Sequence, residues 1–234
     1  MFGNLFGFLG NLGNRRINND TGVTRLTDNS DRHLGDSGDN TLQGSYADET
    51  FKARGGDDTV HTGYGDDSAW GGGGADEIYG NLGSDELHGG RGNDALYGGA
   101  HDDTLKGGAG DDYLAGSYGG DEVRGGAGHD TLDGGTGVDE LYGDAGNDSM
   151  YGGGSADAMR GGDGDDFMKG GAGADDMRAG AGHDSLRGGG GEDHMRAGSG
   201  NDNVVGGDGD DHGWLGAGDD RFSGGGGDDV AYGD

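Results

Sequence analysis

Apolar residues recur at every ninth position from Leu42 to Ala231, apart from Gly213, and the residues between them are mostly glycine, aspartate or other polar types. From Gly35 to Tyr232 the chain divides into 22 nonapeptides without insertion or deletion. Blocks such as Gly89–Tyr97 (GGRGNDALY) and Gly125–Asp133 (GGAGHDTLD) give the pattern G-G-x-G-x-D-x-U-x, in which U is apolar. An internal repeat of fixed short period predicts a solenoid in which each block is one structural unit.

Each block is predicted to form a turn from its first six residues (G-G-x-G-x-D) and a short strand from its last three (x-U-x). Glycine adopts positive φ readily, so such a turn can be tight and direct its carbonyl oxygens to one point. We expect successive strands to lie on opposite faces, so that two blocks make one coil. The 22 blocks then give 11 coils and an all-β rod roughly 50 Å long at a strand spacing of about 4.8 Å.

The eighth positions of alternate blocks predict two inward-facing stacks. Face A consists of Leu42, Val60, Ile78, Leu96, Leu114, Leu132, Met150, Met168, Leu186, Val204 and Phe222. Face B consists of Phe51, Ala69, Leu87, Leu105, Val123, Leu141, Met159, Met177, Met195, Gly213 and Ala231. The two stacks form a thin core, in which we interpret the methionines as adaptable filler rather than as a functional stripe.

The composition changes this picture, because a core of this size cannot hold the chain together alone. The 234 residues include 65 glycines, only 28% are hydrophobic, and the formal net charge is -31. Such a chain is either a disordered acidic polymer or one that folds only when cations neutralise its carboxylates. The unbroken phase of the repeat favours the second interpretation for the cation-loaded state, and we expect disorder without cations.

The same numbers exclude some partners. A strongly acidic chain is not expected to bind nucleic acid. No apolar run approaches the roughly 20 residues that a transmembrane helix needs. The absence of cysteine removes disulfides as a source of stability and is compatible with secretion.

The nonapeptide resembles the repeat of the RTX (repeat-in-toxin) calcium-binding proteins, and the resemblance covers residues 35–232. It implies a right-handed parallel β-roll with calcium between turn n and turn n+2, bound by aspartate side chains and glycine-loop carbonyls of both turns. Calcium prefers six to eight oxygen ligands, more than one turn can supply, which agrees with shared sites. The resemblance also implies a bacterial protein that is secreted, extracellular or at the cell surface.

The candidate calcium ligands are the sixth-position aspartates, present in 20 of 22 blocks, with Asn40 and Glu49 as the exceptions. We expect up to about 20 Ca²⁺ ions. A solvated acidic surface would not require this fixed phase, and catalytic carboxylates would need one pair in a distinctive environment. The predicted ligands are Asp58, Asp67, Asp76, Asp85, Asp94, Asp103, Asp112, Asp121, Asp130, Asp139, Asp148, Asp157, Asp166, Asp175, Asp184, Asp193, Asp202, Asp211, Asp220 and Asp229.

The ninth positions are predicted to point outward, and on face B they form a basic and aromatic strip. We name this set the face B strip: Lys52, Trp70, His88, Lys106, Arg124, Tyr142, Arg160, Arg178, Arg196, Trp214 and Tyr232. The strip is either a binding surface for acidic polysaccharide, lipopolysaccharide or the acidic edge of another copy of the chain, or a means of charge balance and solubility. Trp70, Trp214 and Tyr232 each follow a small inward residue, so they either mark outer contact sites or fold over a shallow spot in the core.

Residues 1–34 precede the regular array of 35–234 and are predicted to be a cap or an assembly segment. Phe2, Leu5, Phe6, Leu9 and Leu12 have helical spacing, and a hydrophobic cap, a membrane or secretion element, and an intermolecular contact are all open. Block 26–34 keeps Asp31 in phase and predicts a degenerate half-turn. Because the repeat runs to Tyr232, we expect exposed strand edges at the end of the roll, and head-to-tail stacking of copies would cover them and generate a filament.

No zinc-ligand spacing, nucleophile elbow or catalytic triad pattern is present, so we do not expect an enzyme. The leading hypothesis is a calcium-stabilised extracellular structural protein that self-assembles in a matrix, biofilm, surface layer or filament. Millimolar extracellular calcium matches the weak affinities of extracellular calcium modules. The alternative is a calcium-stabilised binding module or adhesin for acidic polysaccharide or lipopolysaccharide.

Overall fold

The computed structural model describes residues 23–24 and 32–233, and in these ranges every regular element is a β-strand. No helix in the described ranges is long and apolar enough to cross a membrane. The strands are β1 Val23–Thr24, β2 Arg32–Leu34, β3 Thr41–Gln43, β4 Thr50–Lys52, β5 Thr59–Tyr64, β6 Ser68–Gly73, β7 Glu77–Leu82, β8 Glu86–Arg91, β9 Ala95–Ala100, β10 Thr104–Ala109, β11 Tyr113–Tyr118, β12 Glu122–Ala127, β13 Thr131–Thr136, β14 Glu140–Ala145, β15 Ser149–Gly154, β16 Ala158–Asp163, β17 Phe167–Ala172, β18 Asp176–Ala181, β19 Ser185–Gly190, β20 His194–Ser199, β21 Asn203–Asp208, β22 His212–Ala217, β23 Arg221–Gly226 and β24 Val230–Gly233.

The strands form two parallel sheets of 12 strands each, which confirms the β-roll. Sheet A contains the odd-numbered strands and sheet B the even-numbered strands, each in sequence order. Neighbours within a sheet are offset by 18 residues, as in the pairs Leu114↔Leu132 and Leu105↔Val123. Two nonapeptides therefore make one coil, and β3 to β24 are the 22 predicted strands.

The two short N-terminal strands continue the register upstream of the regular array. In sheet A Thr24 pairs with Leu42, and in sheet B His33 pairs with Phe51. Strand β2 consists of the last three residues of block 26–34, and the turn expected from the rest of this block lies outside the described residues. The predicted helical spacing of Phe2, Leu5, Phe6, Leu9 and Leu12 lies outside the described residues.

Most strands are longer than the three residues expected, and the turns are correspondingly shorter. Strand β13, for example, covers the last three positions of one block and the first three of the next, so the turn Gly128–Asp130 has only three residues. Glycine at the second position permits this, because Gly126 has a φ of 117° and a methyl group there would clash with the carbonyl of Gly108. The expected six-residue turn is therefore wrong: half of it is strand.

The predicted core stacks are confirmed from Leu42 to Val204 and from Phe51 to Gly213, whereas Phe222 is half-buried and the predicted inward residue Ala231 is exposed. The face A residues Leu42 to Val204 and the face B residues Phe51 to Met195 are at most 1% exposed and pair in register along their sheets. At the C-terminal end the ring of Phe222 in sheet A leans across the core, and a methyl group on Gly213 would lie 2.7 Å from it. The shallow position at Gly213 is thus compensated by Phe222 from the opposite sheet and not by Trp214.

Candidate calcium site

The sixth-position aspartates form two columns, one along each turn edge of the roll. Each accepts a hydrogen bond at Oδ1 from the backbone N–H of the residue 18 positions earlier. Asp148 accepts from Asp130 at 2.8 Å, and Asp166 accepts from Asp148 at 2.9 Å. The ladder continues in both columns to Asp220 and Asp229, so the structure places all predicted ligands in equivalent positions.

The second carboxylate oxygen of these aspartates has no partner. From Asp58 to Asp211 every sixth-position aspartate is at most 3% exposed, and its Oδ2 is buried without a hydrogen bond. A buried, unpaired carboxylate oxygen is costly, and a cation is the usual way to compensate it. The repeat therefore buries a column of oxygens that need a partner from outside the chain, and a cation would also neutralise their charge.

These oxygens face backbone carbonyls of the adjacent coil next to the first-position glycine. A methyl group on Gly134 would lie 2.6 Å from Asp139 Oδ2 and 2.7 Å from the carbonyl oxygen of Gly152. At Gly152 the corresponding atoms are Asp157 Oδ2 at 2.5 Å and the Gly170 carbonyl oxygen at 2.7 Å. Glycine thus leaves open a space that a side chain would fill, lined by hard oxygens from coils 18 residues apart, and this donor set suits calcium.

Within the described ranges, no group of three or more histidine or acidic side chains converges as a metal cluster. One aspartate and several carbonyls per turn would have to supply the ligands, as the resemblance implied. Five blocks depart from this arrangement at the first position, where glycine is replaced by Ala53, Thr62, Ala179, Ala197 and Leu215. The hydroxyl of Thr62 donates a hydrogen bond to the carbonyl oxygen of Gly80 at 2.6 Å, so one of the carbonyl oxygens of the candidate site already has a partner.

Burial raises the pKa of the sixth-position carboxyls from Asp58 to Asp211, and neighbouring carboxylates add to the effect at most of these positions. The pKa rises from 3.8 to about 7 at Asp130 and Asp166, and to about 8 at Asp103. In each case desolvation is the largest cause, and the hydrogen bond from the backbone N–H opposes it. Without a cation, the folded roll thus holds carboxyls that ionise with difficulty at neutral pH.

The ends of the columns differ from the middle. Asp220 and Asp229 accept the ladder hydrogen bond but are only half-buried. At the other end Glu49 occupies the sixth position, and its carboxylate accepts from the backbone N–H of Ser45 at 2.7 Å and lies 3.2 Å from Nε2 of buried His33. Sequence reasoning missed this pair, although both residues are in phase, at the sixth and eighth positions of their blocks.

A second ladder on the outer turns was also missed. At the fifth position, Asp111 Oδ1 accepts from the backbone N–H of His129 at 2.9 Å, and His129 Nδ1 accepts from that of Asn147 at 2.8 Å. Asn147 and Asp165 continue it. The signal was that the fifth position of every second block from Asn93 to Asp219 is Asp, Asn or His, all of which can accept a hydrogen bond.

The family model of the RTX calcium-binding nonapeptide repeat (4 copies) matches the chain. The matched segments are residues 34–63, 52–87, 79–114, 115–150, 133–168, 151–186, 169–204, 178–212, 187–221 and 205–234. Together they run without a gap from residue 34 to residue 234.

This chain belongs to the RTX calcium-binding repeat family. The repeats of the family bind calcium, which agrees with the buried, unpaired oxygens of the columns. No curated protein sequence matches this chain.

The face B strip lies in register along sheet B of the RTX roll. Arg160, Arg178 and Arg196 are direct neighbours, as expected. Asp176 forms ion pairs with Arg178 at 2.6 Å and with Arg196 at 3.1 Å. Acidic residues of the same sheet also pair with Lys106 and Arg124, which supports charge balance for most of the strip.

Proposed function

We propose that this RTX chain is an extracellular structural protein that folds when calcium binds between its turns and that assembles end to end. The observation that carries the proposal is the column of buried, unpartnered Oδ2 atoms from Asp58 to Asp211. Bound calcium would supply positive charge to carboxylates that otherwise repel one another. Binding free energy then becomes folding free energy, because the unfolded chain has no such sites.

The aspartates from Asp58 to Asp229 are the proposed ligands, one from each turn. The Oδ1 hydrogen bond fixes the carboxylate so that Oδ2 points to the carbonyl of the next coil, and the first-position glycine keeps the space open. The sites at Asp220 and Asp229 are more exposed, so we propose that they bind calcium more weakly than those in the middle. Up to about 20 ions would more than balance the charge of -31.

Calcium dependence also suits an extracellular location. The ion is millimolar outside cells and far scarcer inside, so a roll with the weak sites typical of extracellular modules would fold only after export. End-to-end assembly is supported by apolar side chains on β24, which lies at the edge of sheet B in this structure. Val230 and Tyr232 in β24 are also exposed, at 37% and 52%, and present apolar surface at that edge.

Circular dichroism and negative-stain electron microscopy of the purified chain, in millimolar calcium and in excess EDTA, test the proposal. We expect β-structure and filaments in calcium and neither in EDTA. An equally folded chain in EDTA would contradict folding by calcium. Discrete short rods in calcium would contradict end-to-end assembly while leaving the folding mechanism intact.

The second candidate is a binding module for acidic polysaccharide. Arg160 favours it, because among the described residues it has no acidic partner within ion-pair distance and lies over the ring of Tyr142 at 5.2 Å. The triple variant R160S/R178S/R196S should lose binding to alginate or lipopolysaccharide in calcium. The matched control K169S/R187S removes basic residues of sheet A. Retained binding in the triple variant would exclude the strip as the glycan site.

A further inference from the structure

Two histidines stand side by side on the outer surface of sheet B near its C-terminal end. His194 and His212 are the first residues of β20 and β22 and pair in register. Their rings are 5.3 Å apart between centroids, with an angle of 81° between the planes. They are the only neighbouring pair of histidines in the described part of the chain, and all eight histidines fall within it.

This spacing fits two imidazoles on one tetrahedral metal ion. A ring centroid lies about 3.2 Å from an ion bound at about 2.0–2.1 Å, so two rings at the tetrahedral angle have centroids about 5.2 Å apart. The observed 5.3 Å agrees with this value. Nδ1 of His212 is buried without a hydrogen-bond partner, so a nitrogen lone pair or proton of this ring is left unsatisfied.

From this geometry we propose that His194 and His212 bind a divalent transition-metal ion, separately from the calcium columns. Imidazole suits copper, nickel and zinc, and copper(II) binds most tightly in this series. Calcium takes oxygen ligands, so it does not compete for the pair. Since no third histidine or acidic side chain converges here within the described residues, water would complete the coordination.

Trp214 makes this site observable. Its ring is 6.0 Å from that of His212, nearly parallel at 20°, and 5.8 Å from that of His194. The guanidinium group of Arg196 also lies over the Trp214 ring, 4.5 Å from the ring centroid. A copper ion on the two histidines would lie within a few ångströms of the indole, where a paramagnetic ion quenches its fluorescence.

The other histidines have different surroundings and serve as controls. His88 lies 2.9 Å from Glu86, and His61 stacks on Tyr79 at 4.6 Å between centroids. Neither has a second histidine beside it, so each offers at most one imidazole. The other tryptophan, Trp70, stacks on His88 at 5.3 Å, far along the sheet from Trp214.

The test uses the full chain in millimolar calcium, with W70F so that Trp214 is the only tryptophan. Equimolar copper(II) chloride should abolish most of its emission and give a copper EPR spectrum with nitrogen splitting. Both effects should be lost in W70F/H194N/H212N and kept in W70F/H61N/H88N, which removes the same number of histidines. Calcium-dependent circular dichroism checks that each variant is folded.

Equal quenching in W70F and W70F/H194N/H212N would overturn the proposal. A second measurement tests the proposal even if W70F/H194N/H212N does not fold. In W214F, which keeps both histidines and Trp70, the fluorescence emission of Trp70 should persist at equimolar copper. Equal loss of Trp70 and Trp214 emission would show general copper binding to the acidic chain and would also overturn it. Neither outcome affects the proposal that the chain folds when calcium binds, because circular dichroism measures that folding separately.

Discussion

At the residue scale, one carboxylate has two separate tasks. Its Oδ1 closes a hydrogen bond to the neighbouring coil, and its Oδ2 is buried without a partner. An amide can perform the first task but cannot supply the negative charge that the second requires. The repeat shows this division, because the fifth position of every second block from Asn93 to Asp219 is Asp, Asn or His, whereas the sixth position of every block is Asp from Asp58 to Asp229.

Substitution D130N isolates the charge, because the amide oxygen of the introduced asparagine could still accept from the backbone N–H of Asp112, now 2.8 Å from Oδ1 of Asp130. We expect the variant to need more calcium to fold. At calcium a hundredfold above the site's dissociation constant, the loss of one site costs about 2–3 kcal/mol of unfolding free energy. A calcium titration followed by circular dichroism, with urea unfolding at fixed calcium, measures both effects.

The control for this substitution is D111N in the exposed fifth-position ladder. Asp111 accepts from the backbone N–H of His129 at 2.9 Å, and asparagine already stands in this column at positions 93, 147 and 201. We expect an unchanged calcium midpoint. If D111N and D130N shifted the midpoint equally, general loss of negative charge and not the sixth-position site would be the cause.

The raised pKa values predict an opposite response to acid with and without calcium. Asp130, Asp157 and Asp193 have a folded pKa of about 7, above the ordinary 3.8, so protonation favours the fold. In EDTA this contribution is fully present below about pH 4 and is lost as the pH rises through about 7. With calcium the sign reverses, because protons compete with the ion for the same oxygens.

Circular dichroism in EDTA should therefore show more β-structure at pH 4 than at pH 8, and the calcium midpoint should rise as the pH falls from 8 to 6. Surface charge repulsion also weakens at low pH, so the control is pH 8 with about 1 M NaCl, where the screening length is about 3 Å. Salt alone should restore little structure. Equal structure at pH 4 and pH 8 in EDTA would contradict the buried columns.

At the element scale, the sequence predicts those features of the strands that depend only on the length of the repeat. A nine-residue period doubled to 18 fixes which strands pair and which residues face inward, as in Leu114↔Leu132. The period does not reveal that the first half of the glycine turn joins the strand, because glycine is depleted in ordinary strands. Here the parallel ladder of Gly108 and Gly126 extends the pairing with close backbone contacts that a side chain would block.

Contacts across the core are the part that the repeat could not predict. Phe222 and Gly213 are the eighth residues of neighbouring blocks and lie in different sheets, and their contact depends on how the two sheets approach. The calcium columns could be located because each aspartate has the same neighbours. The contact between His33 and Glu49 could not be predicted in this way, since block 26–34 lacks the glycines that mark a turn.

Substitution G213A tests the contact across the core. The added methyl group would lie 2.7 and 2.9 Å from two carbons of the Phe222 ring, so we expect a cost of about 1–3 kcal/mol from overpacking. F222L should relieve this contact, giving a coupling of at least about 0.5 kcal/mol in a double-mutant cycle. Urea unfolding in calcium measures it. G190A is the control, because nothing lies within 4 Å of a methyl group there. If the free-energy costs of G213A and F222L were simply additive in the double variant, the contact between the two residues would be contradicted.

At the scale of the whole molecule, the roll is a one-dimensional stack in which each coil contacts only its neighbours. Stability is then the sum of similar coil terms, and each term includes two aspartate sites. A net charge of -31 opposes the stack along its whole length. Without cations, every coil loses the stabilising contribution of its two aspartate sites. We therefore expect the fold to be lost along the whole length of the roll rather than from one end.

Small-angle X-ray scattering in calcium and in EDTA checks this expectation. An unfolded chain of this length has a radius of gyration of about 53 Å, whereas a compact one has about 18 Å. Twelve strands at about 4.8 Å give a rod roughly 58 Å long, whose radius of gyration is close to the compact value. At protein concentrations below those at which filaments form, we expect a change between these limits over one narrow range of calcium. Magnesium at equal ionic strength should not produce it, because Mg²⁺ gives up its water reluctantly. A gradual decrease with many intermediate values would show that coils bind calcium independently, and an unchanged radius in EDTA would show that the thin apolar core alone holds the roll together.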